Sequence, residues 1–266
     1  MKTVVITGGT RGIGRGLALE FLKMGYKVVI SGTRESTIKD AKSYFKSAGF
    51  DDHVAVYLCN VSIPDDITGL WKNAAAFLDR IDIWINNAGI NQPDKPVAEL
   101  EAQDIDNVLA VDLSGTINAT RIVFNEMSGQ GKGFIYNMEG FGSDDRTRTG
   151  LSIYGTAKRA VTYFTKAFIA ETKGSPVKTC YLSPGMVLTD FLLKPLRDDP
   201  DQAEKLGRIY TILADLPEVV TPYLAEKIDK NTKHGAKVAW LTSGKVMLRF
   251  LTGGRRKNKP DISKLI

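Results

Sequence analysis

Thr7-Gly8-Gly9-Thr10-Arg11-Gly12-Ile13-Gly14 is the stretch on which the fold turns. It follows an apolar β-type run, Val4-Val5-Ile6, and opens an amphipathic helical pattern over residues 12–24. Strand, glycine-rich turn and helix in that order form a phosphate cradle. The glycines let the backbone approach a pyrophosphate, and the free N–H groups and positive dipole end of the helix face the anion. A glycine-rich turn without a strand before it and a helix after it would carry little weight. Gly8, Thr10, Arg11, Gly12, Ile13 and Gly14 are therefore the expected contacts of a dinucleotide phosphate.

The next strand narrows the choice of dinucleotide. Sites that prefer NAD place an acid after the second strand, where it accepts hydrogen bonds from the ribose hydroxyls. Here that strand ends Ile30-Ser31-Gly32-Thr33-Arg34, with Gly32 about where the acid would stand and no acid before Glu35. Ser31 and Thr33 supply hydroxyls, and Arg34 with Arg11 supplies two guanidinium groups. Such a set suits a 2′-phosphate, so NADPH/NADP+ is the expected cofactor. The competing reading is that both arginines are ordinary surface residues.

Outward from the loop, apolar runs alternate with amphipathic segments. Strands are expected at 3–7, 27–31, 54–59, 81–86, 133–138 and 177–182, and helices at 12–24, 35–47, 65–78, 99–127 and 152–172. Alternating β and α elements imply a doubly wound parallel sheet with helices on both faces, a three-layer α/β fold. The run at 81–86 is nearly all apolar, as a strand buried on both faces should be. Residues 1–266 read as one such domain. The stretch 194–205 is polar and bears prolines, and with 190–230 around it is expected to form a lid or binding loop over the substrate, an ordinary surface loop being the alternative.

Composition sets further bounds. The chain has 266 residues, 43% apolar and 25% charged, enough for a full α/β core. No run reaches the roughly 18 apolar residues of a membrane span. No charged segment followed by an apolar run opens the chain, so a cytoplasmic protein is expected. Cys59 and Cys180 lie far apart and outside any C-x-x-C, which favours plain structural thiols. His53 and His234 have no metal-ligand spacing, and no metal is expected. Part of the net charge of +6 sits in Arg255-Arg256-Lys257-Asn258-Lys259, which reads as a solvated tail, the other reading being a weak contact with an anionic surface or ligand, and no nucleic-acid partner is expected.

The chemistry is carried by Tyr154 and Lys158. Four residues apart in a helical stretch, they share one face. An ammonium beside a phenol favours the phenolate and should lower the tyrosine pKa, making a tuned proton donor. Tyr-x-x-x-Lys alone is a weak signal, and its position downstream of the glycine loop strengthens it.

With these motifs in hand, the chain resembles the short-chain dehydrogenase/reductases over most of its length. The matching motifs are residues 7–14, Asn86-Asn87-Ala88-Gly89, Tyr154-x-x-x-Lys158 and Ser183-Pro184-Gly185-Met186-Val187-Leu188-Thr189. The resemblance implies that Asn60 and Val61 lie beside the adenine, where the family usually has Asp-Val, and that Asn86, Asn87, Ala88 and Gly89 line the ribose. It also implies that Pro184, Gly185, Val187 and Thr189 hold the nicotinamide carboxamide. Tyr154 would protonate a substrate carbonyl, and Lys158 would bind the nicotinamide ribose. Family members pair through their long helices, so a homodimer or homotetramer is expected.

Two positions depart from the family pattern. The usual carbonyl-polarising serine, three residues after Asn137, is replaced by Gly140, and Ser143 is the nearest hydroxyl on that loop. With glycines flanking Phe141, Ser143 is expected to swing in and do that work, a simple turn residue being the alternative. Asp112 stands where the family has asparagine and is expected to pair with Lys158. The loop Asn137-Met138-Glu139-Gly140-Phe141-Gly142-Ser143 resembles the corresponding loop of chlorophyll b reductases, and the likeness extends to 154–159, 182–187, 212–220 and 249–253. That resemblance implies reduction of the 7-formyl group of chlorophyll(ide) b. The apolar residues of 191–225 would suit a flat chlorin, although core packing explains their spacing equally well. Another aldehyde or ketone, or an NADP(H)-binding sensor with little catalysis, are the alternative functions.

Overall fold

In the computed structural model, seven parallel strands form one sheet in the order β3-β2-β1-β4-β5-β6-β7. The structure describes residues 1–198, 200–253, 255–256 and 258–262, with the side chains of all of these except 195, 198 and 200–205. The strands are β1 Thr3–Ile6, β2 Lys27–Gly32, β3 Val54–Leu58, β4 Ile83–Asn86, β5 Gly133–Met138, β6 Val177–Ser183 and β7 Lys237–Ala239. The helices are α1 Gly12–Lys23, α2 Glu35–Ser47, α3 Pro64–Leu78, α4 Ala102–Val108, α5 Thr116–Gly129, α6 Ser152–Glu171, α7 Asp190–Asp198, α8 Pro200–Leu213, α9 Pro217–Asp229 and α10 Ser243–Leu251.

The chain runs from β1 out to β3, then crosses back to β4 beside β1, where Val5 pairs with Trp84. The order therefore reverses between β1 and β4. The carboxyl ends of those two strands diverge there, which is where doubly wound sheets bind their ligands. Each sheet face buries its own apolar cluster. Phe21, Ile30, Ile85 and Leu182 pack on one side, and Trp71, Trp84, Val123 and Met127 on the other. Both faces of β1 and β4 are buried, which explains their unbroken apolar runs.

Three expectations need correcting. The helix expected over 99–127 is broken, because α4 and α5 are joined by a wider π-helical stretch at Leu109–Gly115. Such widenings occur where a side chain must be re-aimed, and this one carries the fully buried Asp112. The fourth strand is shorter than 81–86, spanning Ile83–Asn86. The polar stretch 194–205 is not a loop, since α7 and α8 run through most of it. These two helices build a separate apolar cluster with Leu188, Leu193, Leu196 and Tyr210. Of the basic tail, Lys257 lies outside the described residues.

Candidate active site

The glycine loop is packed against the turn that follows β4. A Cβ on Gly8 would lie 2.8 Å from Ala88 Cα, and one on Gly14 would lie 2.6 Å from Asn87 Nδ2. Asn87 ties the two segments together, its Nδ2 donating to the carbonyls of Thr7 (2.8 Å) and Gly8 (3.0 Å). Thr7 Oγ1 in turn accepts from the amides of Asn87 and Ala88. Helix α1 starts at Gly12 with no side-chain cap, so its first N–H groups are free for an anion. Gly12 and Gly8 both have positive φ, and a Cβ on Gly12 would meet Thr189 at 3.2 Å. The residues present therefore fit a dinucleotide phosphate, with bare backbone on the floor and Thr189 alongside.

At the end of β2, Ser31 is fully buried while Thr33 and Arg34 are exposed. A Cβ on Gly32 would come within 2.7 Å of the Thr10 side chain, so the loop leaves no room for an acid there. Arg11 is largely exposed and lies 4.0 Å from Asp190 at the start of α7. Asn60 is half-buried, and its Oδ1 accepts from Ser62 N and Oγ, which makes it a turn cap. Val61 is buried, and its carbonyl faces Gly115.

Asn86 stands apart from the other residues of its motif. Its side chain accepts from Trp84 Nε1 (2.8 Å) and donates to Asn137 Oδ1 (2.8 Å) and Thr120 Oγ1 (3.1 Å). Those partners consume its amide inside the core, so it clamps β4 to β5 and α5 instead of facing a ribose. Gly89 does border Asp112, since a Cβ there would lie 2.9 Å from Asp112 Oδ2. Pro184 and Val187 are buried, and Gly185 turns at φ +73° against Leu241.

Tyr154 and Lys158 lie in the first two turns of α6, and both are buried. Lys158 Nζ sits 2.9 Å from Asp112 Oδ2, delivered by the π-helical stretch, while the Ile90 amide donates to Asp112 Oδ1 at 2.8 Å. Burial alone would depress the Lys158 ammonium, yet the Asp112 carboxylate and the nearby phenol carry its pKa above the usual lysine value. For Tyr154 the balance differs from the expectation of a lowered pKa. Burial pushes the phenol up to about 12, Lys158 pulls it down and Asp112 pushes it up again. Desolvation wins because the ring is enclosed, with Phe191 of α7 packed against it at 5.2 Å between centroids. At neutral pH the group is therefore a protonated phenol, the form a proton donor requires.

Gly140 lies directly against that phenol. A Cβ at this position would be 2.3 Å from Tyr154 Oη and 3.0 Å from Lys158 Cγ. The space of the missing serine is thus occupied by the tyrosine hydroxyl. Ser143 Oγ donates to the Lys158 carbonyl and accepts from the Gly140 amide, both at 3.2 Å, which ties the loop to α6. Gly142, at φ +92°, crosses Gly155 so closely that an added Cβ would lie 2.5 Å from its Cα.

Two contributors were not singled out from the sequence. Gln92 Oε1 accepts from the amides of Ile153 (2.7 Å) and Tyr154 (3.0 Å), and so fixes the start of α6. Arg148 bonds Asp94 at 2.7 Å and reaches Tyr210 of α8, linking the loop after β4, the loop after β5 and the helices over Tyr154. Gln92 stands only three residues after the Asn86–Gly89 motif, which is the one sequence cue to it. Arg148 had no such cue.

The model of the short chain dehydrogenase family matches residues 2–200, and the chain belongs to that family of oxidoreductases. Among curated relatives it is 36% identical to "Chlorophyll(ide) b reductase NOL, chloroplastic" of Arabidopsis thaliana, over 94% of this chain and 70% of that one. It is 31% identical to "Probable chlorophyll(ide) b reductase NYC1, chloroplastic" of Oryza sativa subsp. japonica, over 97% of this chain. The chain spans about half the length of that rice protein, 53%. Among solved structures, levodione reductase superposes with a TM-score of 0.80 at 22% identity, covering 92% of this chain and 98% of that one. The closed form of serine dehydrogenase complexed with NADP+ gives a TM-score of 0.76 at 23% identity, covering 90% of this chain and 94% of that one.

Proposed function

We propose that the chain is an NADPH-dependent carbonyl reductase whose substrate is the 7-formyl group of chlorophyll(ide) b. The observation that carries the reading is the buried row Asp112–Lys158–Tyr154, which ends on a phenol facing a bare glycine. Support for the pigment comes from the relatives named chlorophyll(ide) b reductase and from the loop 137–143 that resembles theirs. Phe191 of α7 puts an apolar ring beside the phenol, and the buried cluster of α7 and α8 supports the helix that carries it.

Bound NADPH supplies the hydride. Gly8, Thr10, Arg11, Gly12, Ile13 and Gly14 would hold its phosphates, and Thr33, Arg34 and Arg11 its 2′-phosphate, whereas the hydroxyl expected from Ser31 is fully buried and does not face that group. Asn60 and Val61 would flank the adenine, Asn87, Ala88 and Gly89 the ribose, and Pro184, Gly185, Val187 and Thr189 the carboxamide. Tyr154 Oη gives its proton to the carbonyl oxygen as that oxygen gains negative charge. Lys158 is held as an ammonium by Asp112 and stabilises the phenolate left behind. Proton donation of this kind is worth on the order of 10²–10⁴-fold in rate. Ser143 would polarise the carbonyl only by giving up its bond to the Lys158 carbonyl, and Ser143→Ala measures that contribution directly.

The deciding assay follows NADPH oxidation with chlorophyllide b and with a panel of simple aldehydes and ketones. Pigment turnover with a hydroxymethyl product is expected. Turnover of the panel without the pigment would refute the substrate assignment and leave a general carbonyl reductase. The absence of a serine at Gly140 favours a second reading, an NADP(H) sensor with little catalysis, and tight NADPH binding without turnover would support it.

A further inference from the structure

Helix α10 is inverted relative to an ordinary surface helix. Its large apolar side chains point outward: Met247 is 65% exposed, Leu248 58%, Phe250 53% and Leu251 78%. At 3.6 residues per turn these four cover an arc of about 160°. The opposite side carries Arg249, which is buried, pairs with Asp215 at 2.8 Å and donates to the Leu213 carbonyl at 2.8 Å. The charge that would normally face water is used as an anchor, and the apolar face is left to the outside. Scattered exposed apolar residues are normal, but four on one face of a nine-residue helix are a patch.

The sequence around and beyond the helix is basic. Residues 245–262 hold six basic residues, Lys245, Arg249, Arg255, Arg256, Lys257 and Lys259, against a single acid, Asp261. Arg255 and Lys259 are exposed, while Arg256 is drawn inward to Asp215 and to the Ile212 carbonyl. A protruding apolar face followed in the chain by the exposed Arg255 and Lys259 matches an anionic lipid surface, into whose headgroup boundary such helices bury their apolar side. A second copy of the chain fits less well, because it would offer the same basic segment and no opposite charge.

We propose that α10 docks the protein on an anionic membrane surface. The rigid anchor gives that docking a consequence. Asp215 bridges to Val187 and its backbone bonds Met186 and Leu188, so α10 is fastened to the segment leading into α7 and the cover over Tyr154. Docking through α10 would present that cover to the bilayer, from which a lipid-soluble pigment could enter. The presentation step rests on the pigment reading above, whereas the docking itself does not.

The test is cosedimentation with vesicles of phosphatidylcholine alone or mixed with phosphatidylglycerol, without pigment. The intact chain should pellet with the anionic vesicles, less so at high salt and weakly with phosphatidylcholine alone. Leu248→Glu with Leu251→Glu should weaken binding roughly tenfold or more, and Arg255→Glu with Lys259→Glu by a similar factor. Thermal melting and NADPH binding should stay unchanged in both double variants, which separates lost docking from lost folding. Equal pelleting of wild type and variants, or no pelleting at all, overturns the proposal. A dimer that the Leu248→Glu, Leu251→Glu change dissociates, with no vesicle binding, would make the face a subunit seam and also overturn it. Because no pigment is present, failure here leaves the reductase assignment standing.

Discussion

Two glycine-bearing loops flank the reaction centre, and they are crowded by different things. In the loop after β1, an added Cβ would meet mainly fixed framework: Ala88 Cα at 2.8 Å for Gly8, and the Gly8 carbonyl and Asn87 Nδ2 at 2.6 Å for Gly14. In the loop after β5, an added Cβ on Gly140 would meet the proposed proton donor, Tyr154 Oη, at 2.3 Å. The first loop is shaped to admit a cofactor, so its glycines serve backbone geometry. The second leaves room for the phenol of Tyr154, so its glycine serves the position of the side chain proposed as proton donor. One is a generic device of doubly wound sheets, and the other departs from the usual serine of the family pattern.

The sharpest way to break that contrast is to remove the phenol oxygen. Tyr154→Phe should lower turnover by about 10²–10⁴-fold with NADPH affinity unchanged in a fluorescence titration. Loss of NADPH affinity instead would show that the two loops are not separable. Gly140→Ser restores the family residue, yet it should lower turnover by about 10²-fold, because the phenol must move by the order of an ångström. Gain of activity in steady-state assays would mean that the phenol's position against Gly140 is not the working one.

In the first loop, the charge argument predicts a cofactor effect without a chemical one. Arg34→Glu should raise the KM for NADPH by roughly 10–100-fold, the value of a charge-assisted hydrogen bond to phosphate, and leave kcat nearly unchanged. An unaltered ratio of NADPH to NADH efficiency would place both arginines among ordinary surface residues.

The smallest effect is the most diagnostic of the buried row. Asp112 raises the pKa of both Tyr154 and Lys158. Asp112→Asn removes that influence, so both pKa values should fall. Reduction needs the protonated phenol, so the alkaline limb of kcat/KM should move to lower pH while activity at neutral pH persists. An unmoved limb would uncouple Asp112 from the proton donor. Removing the other partner is harsher: Lys158→Ala leaves Asp112 buried and unpaired, at a cost of about 3–5 kcal/mol in chemical denaturation.

What the sequence made legible follows the same division. Residues 7–14 announced the strand, loop and helix because glycine spacing and apolar runs record backbone geometry directly. The alternation of β and α patterns gave the parallel sheet. The pairing of Asp112 with Lys158 was readable as a charge opposite a charge, although nothing local signalled the π-helical stretch that delivers it, since its residues keep a helix-like pattern. Long-range side-chain contacts were not readable. Asn86 was placed on the ribose by its motif, whereas partners 34 and 51 residues away draw it into the core. The pKa of Tyr154 was read from its cationic neighbour alone, and the burial that outweighs that neighbour includes Phe191, a residue distant in sequence whose contact nothing local signalled.

The central claim is that a buried, protonated Tyr154 delivers a proton to the formyl oxygen of a chlorin while NADPH is consumed. Its most direct test is to incubate the protein with NADPH and chlorophyllide b, separating the pigments chromatographically, beside the Tyr154→Phe variant. The account predicts a 7-hydroxymethyl product formed in step with NADPH oxidation by the wild type and nearly absent with the variant. Pigment left unreduced while simple aldehydes are consumed, or equal product from the variant, would contradict it.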